Sequence, residues 1–101
     1  MIYQISVPSV GTDVEEIRIL EWHGEPGHRF ESGDMIVELE THKALVEVRA
    51  AQSGVLRHVL SEAGTWQRIG LPLALFSDDE TEPLPTAAEA ASSLAVEFEV
   101  T

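Results

Sequence analysis

Shifted by 37 residues, this chain falls on itself. Gly27 lands on Gly64 and Gly33 on Gly70, while Ile19 lands on Leu56, Trp22 on Val59, Ile36 on Leu73 and Leu39 on Phe76. Glycines that recur at one offset ask for the same backbone turn twice, because tight turns use conformations that only glycine adopts without steric cost. Between them the apolar residues come in short runs, broken by Gly, Pro or Asp roughly every eight to twelve residues, and no helical period persists. The clearest strands are 14–22, 35–39, 44–48, 55–60 and 71–76. Two half-domains in 101 residues make one small domain, expected as a pseudo-twofold all-β sandwich. Its core is expected to draw on Ile19, Trp22, Val37, Leu39, Val46, Val48, Leu56, Val59, Leu73 and Phe76.

The charge is unevenly placed. The net charge is −12, but residues 1–76 carry eleven acids and all six bases, whereas residues 77–101 carry seven acids and no base. Residues 77–93, acidic and rich in Pro and Ala, bury too little apolar surface to offset chain entropy and read as a linker. Residues 94–101 form a tail whose alternation, Leu94 to Val100, suits an edge strand on this domain or a neighbour. The acidic balance argues against nucleic acid and against an anionic membrane surface as partners. The absence of cysteine removes thiol chemistry and Cys-containing zinc sites, and fits a cytosolic protein. No segment approaches the roughly 18 apolar residues of a membrane span, and the start Met1-Ile2-Tyr3 has no basic-then-apolar signal pattern.

Between the two halves lies a segment with its own logic. A two-residue turn at His42-Lys43 pairs Thr41 with Ala44, Glu40 with Leu45, Leu39 with Val46, Glu38 with Glu47 and Val37 with Val48. One face is then Val37, Leu39, Thr41, Ala44, Val46 and Val48, and the other is Glu38, Glu40, Glu47 and Leu45. A slip of one residue would bury the glutamates, so the register is fixed. Glu38 opposite Glu47 costs something through repulsion. The construction puts the chain's only lysine, Lys43, at a hairpin tip with its amine in water, where an enzyme can grasp and acylate it.

Residues 1–76 resemble the lipoyl domains of 2-oxo acid dehydrogenase complexes. That family's modification motif reads Glu-Thr-Asp-Lys-Ala, and this chain has Glu40-Thr41-His42-Lys43-Ala44. Gly33-Asp34 and Ser53-Gly54 meet the family's Gly-Asp before the hairpin and Ser-Gly after it, with Gly33 and Gly54 read as turn glycines. Residues 7–13 resemble the family's first strand and loop, and Glu21-Trp22 a common pair. There are three departures: His42 in place of Asp, Ile17 in place of Gly, and Thr65 after Gly64 where Asp is frequent. The resemblance implies a flattened barrel-sandwich hybrid of two four-stranded antiparallel sheets. It implies lipoic acid in amide linkage on Lys43, attached by a lipoate ligase or lipoyl transferase. The arm then serves a thiamine-diphosphate-dependent decarboxylase, an acyltransferase core and a flavin dihydrolipoyl dehydrogenase, in the cytoplasm or, after processing, the mitochondrial matrix, with the cytoplasm favoured. The cofactor carries the chemistry and the protein presents it.

Other readings have less support in the residues. Biotin-acceptor lysines resemble Met-Lys-Met, and the only methionines here are Met1 and Met35. An unmodified barrel-sandwich binding module would share the fold. No catalytic set and no metal site is expected, since His23, His28, His42 and His58 show no metal-ligand spacing. The Pro/Ala linker favours the front piece of an acyltransferase, and the strand-like ending favours a free-standing carrier.

Overall fold

In the computed structural model the described residues are 2–7, 14–81 and 92–100. They form β1 (Ile2–Ser6), β2 (Glu16–Trp22), β3 (Arg29–Phe30), β4 (Met35–Glu40), β5 (Leu45–Ala50), β6 (Gly54–Val59), β7 (Trp66–Arg68), β8 (Pro72–Ser77), β9 (Ser92–Ser93) and β10 (Val96–Val100). No helix of these residues is long and apolar enough to cross a membrane. The strands make two sheets, ordered β3-β6-β8-β1-β9 and β10-β5-β4-β2-β7.

The sequence repeat is the symmetry of this fold. The 37-residue offset carries β2 onto β6, β3 onto β7 and β4 onto β8. With β1 matched to β5, the order β3-β6-β8-β1 becomes β7-β2-β4-β5, so each half of the chain contributes to both sheets in the same pattern. Irregularities repeat as well. The ladder skips Leu20 in β2 and Arg57 in β6, and it skips Ile36 in β4 and Leu73 in β8. A bulge inserts one unpaired residue and turns the strand, so conserving it across the two halves conserves the curvature that closes the sandwich. Among the described residues the positive-φ glycines are the two repeat pairs, Gly27 (101°) with Gly64 (93°) and Gly33 (98°) with Gly70 (92°).

Each sheet has the four antiparallel strands expected, and each gains a fifth from residues 92–100. β10 pairs antiparallel with β5, and β9 pairs parallel with β1. β1 and β5 are equivalent under the repeat, so the C-terminal segment covers the same edge of both sheets. Between its two strands Leu94 is buried in the core cluster. The stretch read as a linker, 77–93, lies mostly outside the described residues, as do residues 8–13 of the opening motif. The first strand, Ile2–Ser6, ends before the residues matched to it by resemblance.

The expected core is present, with Ile19, Val37, Leu39, Val46, Val48, Leu56, Leu73 and Phe76 all fully buried. Trp22 and Val59 sit at its margin, Trp22 because its indole N–H must reach a partner and donates to Ser61 O at 2.9 Å. Ile5, Ile17, Phe30 and Ile36 are also buried in the interior. Gly54 is a correction. It opens strand β6 without positive φ, so it is not a turn glycine; a Cβ there would meet Ser77 O at 3.6 Å and Leu94 Cδ1 at 3.8 Å. Its counterpart Ile17 fills the core with its own side chain, whereas at Gly54 the neighbouring space is taken by Leu94.

Candidate functional site

β4 and β5 pair in the register that the alternation requires: Val37 with Val48, Glu38 with Glu47, Leu39 with Val46 and Glu40 with Leu45. The Thr41 N–H donates to Ala44 O at 2.9 Å, closing a two-residue turn at His42-Lys43. Neither turn residue has positive φ. The turn is therefore not one of the mirror-image types whose twist matches paired strands. Thr41 supplies the compensation. Its Oγ1 accepts from the Lys43 N–H at 3.2 Å and from the Ala44 N–H at 3.0 Å, so both amides at the tip are held by one nearly buried hydroxyl. Lys43 and His42 are exposed, and Ala44 is half-buried.

The tip is also tied to the neighbouring strands. The His42 imidazole stacks on the Trp66 indole, with centroids 5.3 Å apart and planes at 27°. Arg18 on β2 pairs with Glu40, and its Nη1 lies 3.6 Å from Glu40 Oε1. Beside the turn a cleft of about 380 Å³ is lined, among the described residues, by Val14, Glu15, Glu16, Thr41, His42 and Lys43.

The outer face of this sheet is acidic. Cross-strand pairing aligns Glu21, Glu38, Glu47 and Glu99 in one row across β2, β4, β5 and β10. Like charges at strand spacing repel. Two polar partners placed by the fold reduce the cost, one by a hydrogen bond and one by an ion pair. His23 Nε2 lies 2.8 Å from Glu38 Oε1, and Arg49 Nη2 lies 3.2 Å from Glu47 Oε2. Glu21, His23 and Glu38 bring one donor atom each within 4.8 Å of the others, the one set of described His and acidic side chains close enough to share a cation. The spacing of the histidines along the chain does not reveal it, because Glu38 comes from the adjacent strand.

These features are those of a presented lysine, and comparison with known proteins gives the family. The family model described as "Biotin-requiring enzyme" (Biotin_lipoyl) matches residues 3–76. The chain belongs to the biotin/lipoyl family. Its relatives include components of 2-oxo acid dehydrogenase complexes. It is 35% identical over 82% of its length to the dihydrolipoyllysine-residue succinyltransferase component of the 2-oxoglutarate dehydrogenase complex of Bacillus subtilis. It is 31% identical over 92% of its length to the mitochondrial pyruvate dehydrogenase complex protein X component of Saccharomyces cerevisiae. The matched regions are 21% and 24% of those two proteins. The solution structure of the lipoyl domain of the Azotobacter vinelandii 2-oxoglutarate dehydrogenase complex superposes with a TM-score of 0.66 at 25% identity, covering 74% of this chain and 95% of that one.

In the lipoyl domain Glu40, Thr41, His42, Lys43 and Ala44 lie together at one hairpin tip, as their sequence adjacency requires. Gly33 sits at the other end of β4, where its N–H donates to Ala50 O at 2.7 Å and closes the hairpin base. Sequence reasoning missed Trp66, Arg18 and the 14–16 segment. Trp66 lies on a three-residue strand too short to show alternation, but the 37-residue offset from Arg29 in β3 marks its place.

Proposed function

We propose that Lys43 is the lipoyl-attachment residue and that the domain carries acyl groups and electrons between the components of a 2-oxo acid dehydrogenase complex. The observation that carries this is the placement of the chain's one lysine. It stands exposed at the tip of a hairpin whose two amides are pinned by Thr41, in a domain whose relatives are named for a lipoyl-lysine. The residues fit the group. The primary amine of an exposed side chain can form the amide, and the cleft at its side leaves room for an acylating active site. When attached, the dithiolane supplies a disulfide that takes up an acyl group and two electrons.

The chain's own residues then do three things. Thr41, with the β4–β5 register below it, fixes where the arm begins. The core and the two edge strands keep that anchor rigid. The acidic row on the outer face supplies a field that favours basic entrance surfaces on a thiamine-diphosphate-dependent decarboxylase, an acyltransferase and a flavin dehydrogenase. The domain has no catalytic part in this reading.

The test is reductive acylation. Lipoylated protein is mixed with a thiamine-diphosphate-dependent decarboxylase and either pyruvate or 2-oxoglutarate, and acyl transfer to a sulfur of the lipoyl group on Lys43 is followed by mass. The expected result is acylation with one of the two pairs, well above the rate with free lipoamide, and none with Lys43→Arg. Acylation no faster than that of free lipoamide with either pair would remove the carrier reading.

A further inference from the structure

Trp66 is hard to explain as a core residue. It sits on β7, the edge strand of its sheet, and is 42% exposed. What it does contact is the turn that carries Lys43, through its stack on His42. In the ladder Trp66 pairs with Arg18, and Arg18 pairs with Glu40, the last residue of β4. A cross-sheet row from β7 through β2 therefore reaches β4 at the residue just before the turn. The stack adds a second link from the same edge, one residue before the lysine.

We propose that Trp66 is a positioning residue for Lys43, holding His42 so that the enzyme that acylates the lysine meets the amine in a fixed place. The inference rests on the proposed lipoylation of Lys43. The physical need is local. The turn lacks the backbone twist that matches paired strands, so its fit to the hairpin depends on other contacts. Thr41 restrains the inner side of the tip through two amides, but it does not touch the outward imidazole of His42. Stacking an imidazole against an indole removes rotamer freedom from the residue next to the lysine, and a misplaced reacting group is slow to capture. Where the family motif has Asp before the lysine, this chain has His, and it also has an aromatic ring in reach of it.

The test combines order and kinetics. In Trp66→Ala, the order parameters of the His42 and Lys43 amides are expected to fall from the rigid range near about 0.85 toward about 0.6. The KM of a lipoate ligase for the domain is expected to rise about three- to tenfold with kcat unchanged. Trp66→Phe should restore both values. His42→Asp should uncouple them, so that adding Trp66→Ala changes neither order nor KM further. Trp22 remains as the reporter that each variant is folded, and His42→Ala removes the other half of the stack should Trp66→Ala fail that check. Unchanged order at residues 42–43 in the folded variants, or reduced order with unchanged KM, overturns the proposal. A wild-type protein that accepts no lipoyl group at all overturns the underlying attachment reading instead, and the order parameters still decide whether Trp66 holds the turn.

Discussion

Thr41→Val replaces the hydroxyl that organises the tip with a methyl of similar shape. The wild-type Oγ1 accepts two backbone N–H bonds, from Lys43 at 3.2 Å and Ala44 at 3.0 Å. Thr41 itself is 8% exposed, so water cannot simply take the place of Oγ1, but the Lys43 amide is at the surface and can be solvated. One bond is therefore lost at close to full cost and one at a discount, for a total of about 1–2 kcal/mol. In a domain of this size that lowers Tm by roughly 4–16 °C. Urea unfolding followed by tryptophan fluorescence checks it, since Trp22 holds a tertiary hydrogen bond to Ser61. The midpoint should fall with the m-value unchanged, and Thr41→Ser, which keeps the oxygen, should recover most of the loss. If Thr41→Val is as stable as wild type, or Thr41→Ser is as damaged as Thr41→Val, then the hydroxyl does not hold the turn.

Three further outcomes follow from other parts of the structure. Gly33→Ala should cost about 1–2 kcal/mol, all of it backbone strain at φ 98°, because a Cβ there meets nothing within 4 Å; a urea midpoint equal to wild type would contradict this. Leu94→Ala should cost about 2–3 kcal/mol by leaving a gap at the edge of the core, and a loss under about 0.5 kcal/mol would show that residues 92–100 do not dock on the domain in solution. Asp79 follows β8, and its carboxyl is held below the ordinary 3.8 by the backbone N–H and then the hydroxyl of Thr81. A depressed carboxyl stabilises the fold above its unfolded pKa and loses that contribution as pH falls through its folded one. Wild type should therefore exceed Asp79→Asn at neutral pH and converge with it as pH falls through and below the ordinary carboxylate range. A gap that stays constant across that range would contradict the assignment.

Much of this fold can be read from the chain because its symmetry is written in glycines and apolar positions at one offset. The hairpin is legible for a related reason. Its alternation leaves a single register that buries Val37, Leu39, Val46 and Val48 while keeping Glu38 and Glu47 half-buried on the outer face. What stayed hidden is non-local or short. β3 and β7 have two and three residues, fewer than any alternation needs. Gly54 looked like the other punctuating glycines, but its neighbour is the Leu94 side chain, which reaches it from 40 positions further along the chain. The repulsion between Glu38 and Glu47 had no visible remedy in the sequence, because His23 reaches Glu38 from the adjacent strand and Arg49 reaches Glu47 from two positions along its own. At the candidate site the lysine and its motif were evident, while the ring that packs against the turn was not. The stack of Trp66 on His42 joins residues 24 positions apart, one on β7 and the other in the turn between β4 and β5.

The central claim is that Lys43 receives a lipoyl group, and intact mass followed by peptide mapping tests it most directly. The protein is co-expressed with a lipoate ligase and lipoate, and separately with a biotin ligase and biotin. The account predicts one lipoyl adduct, on the peptide containing Lys43, and no biotin adduct. An unmodified Lys43 in the presence of active lipoate ligase, or efficient biotin attachment in its place, would contradict it.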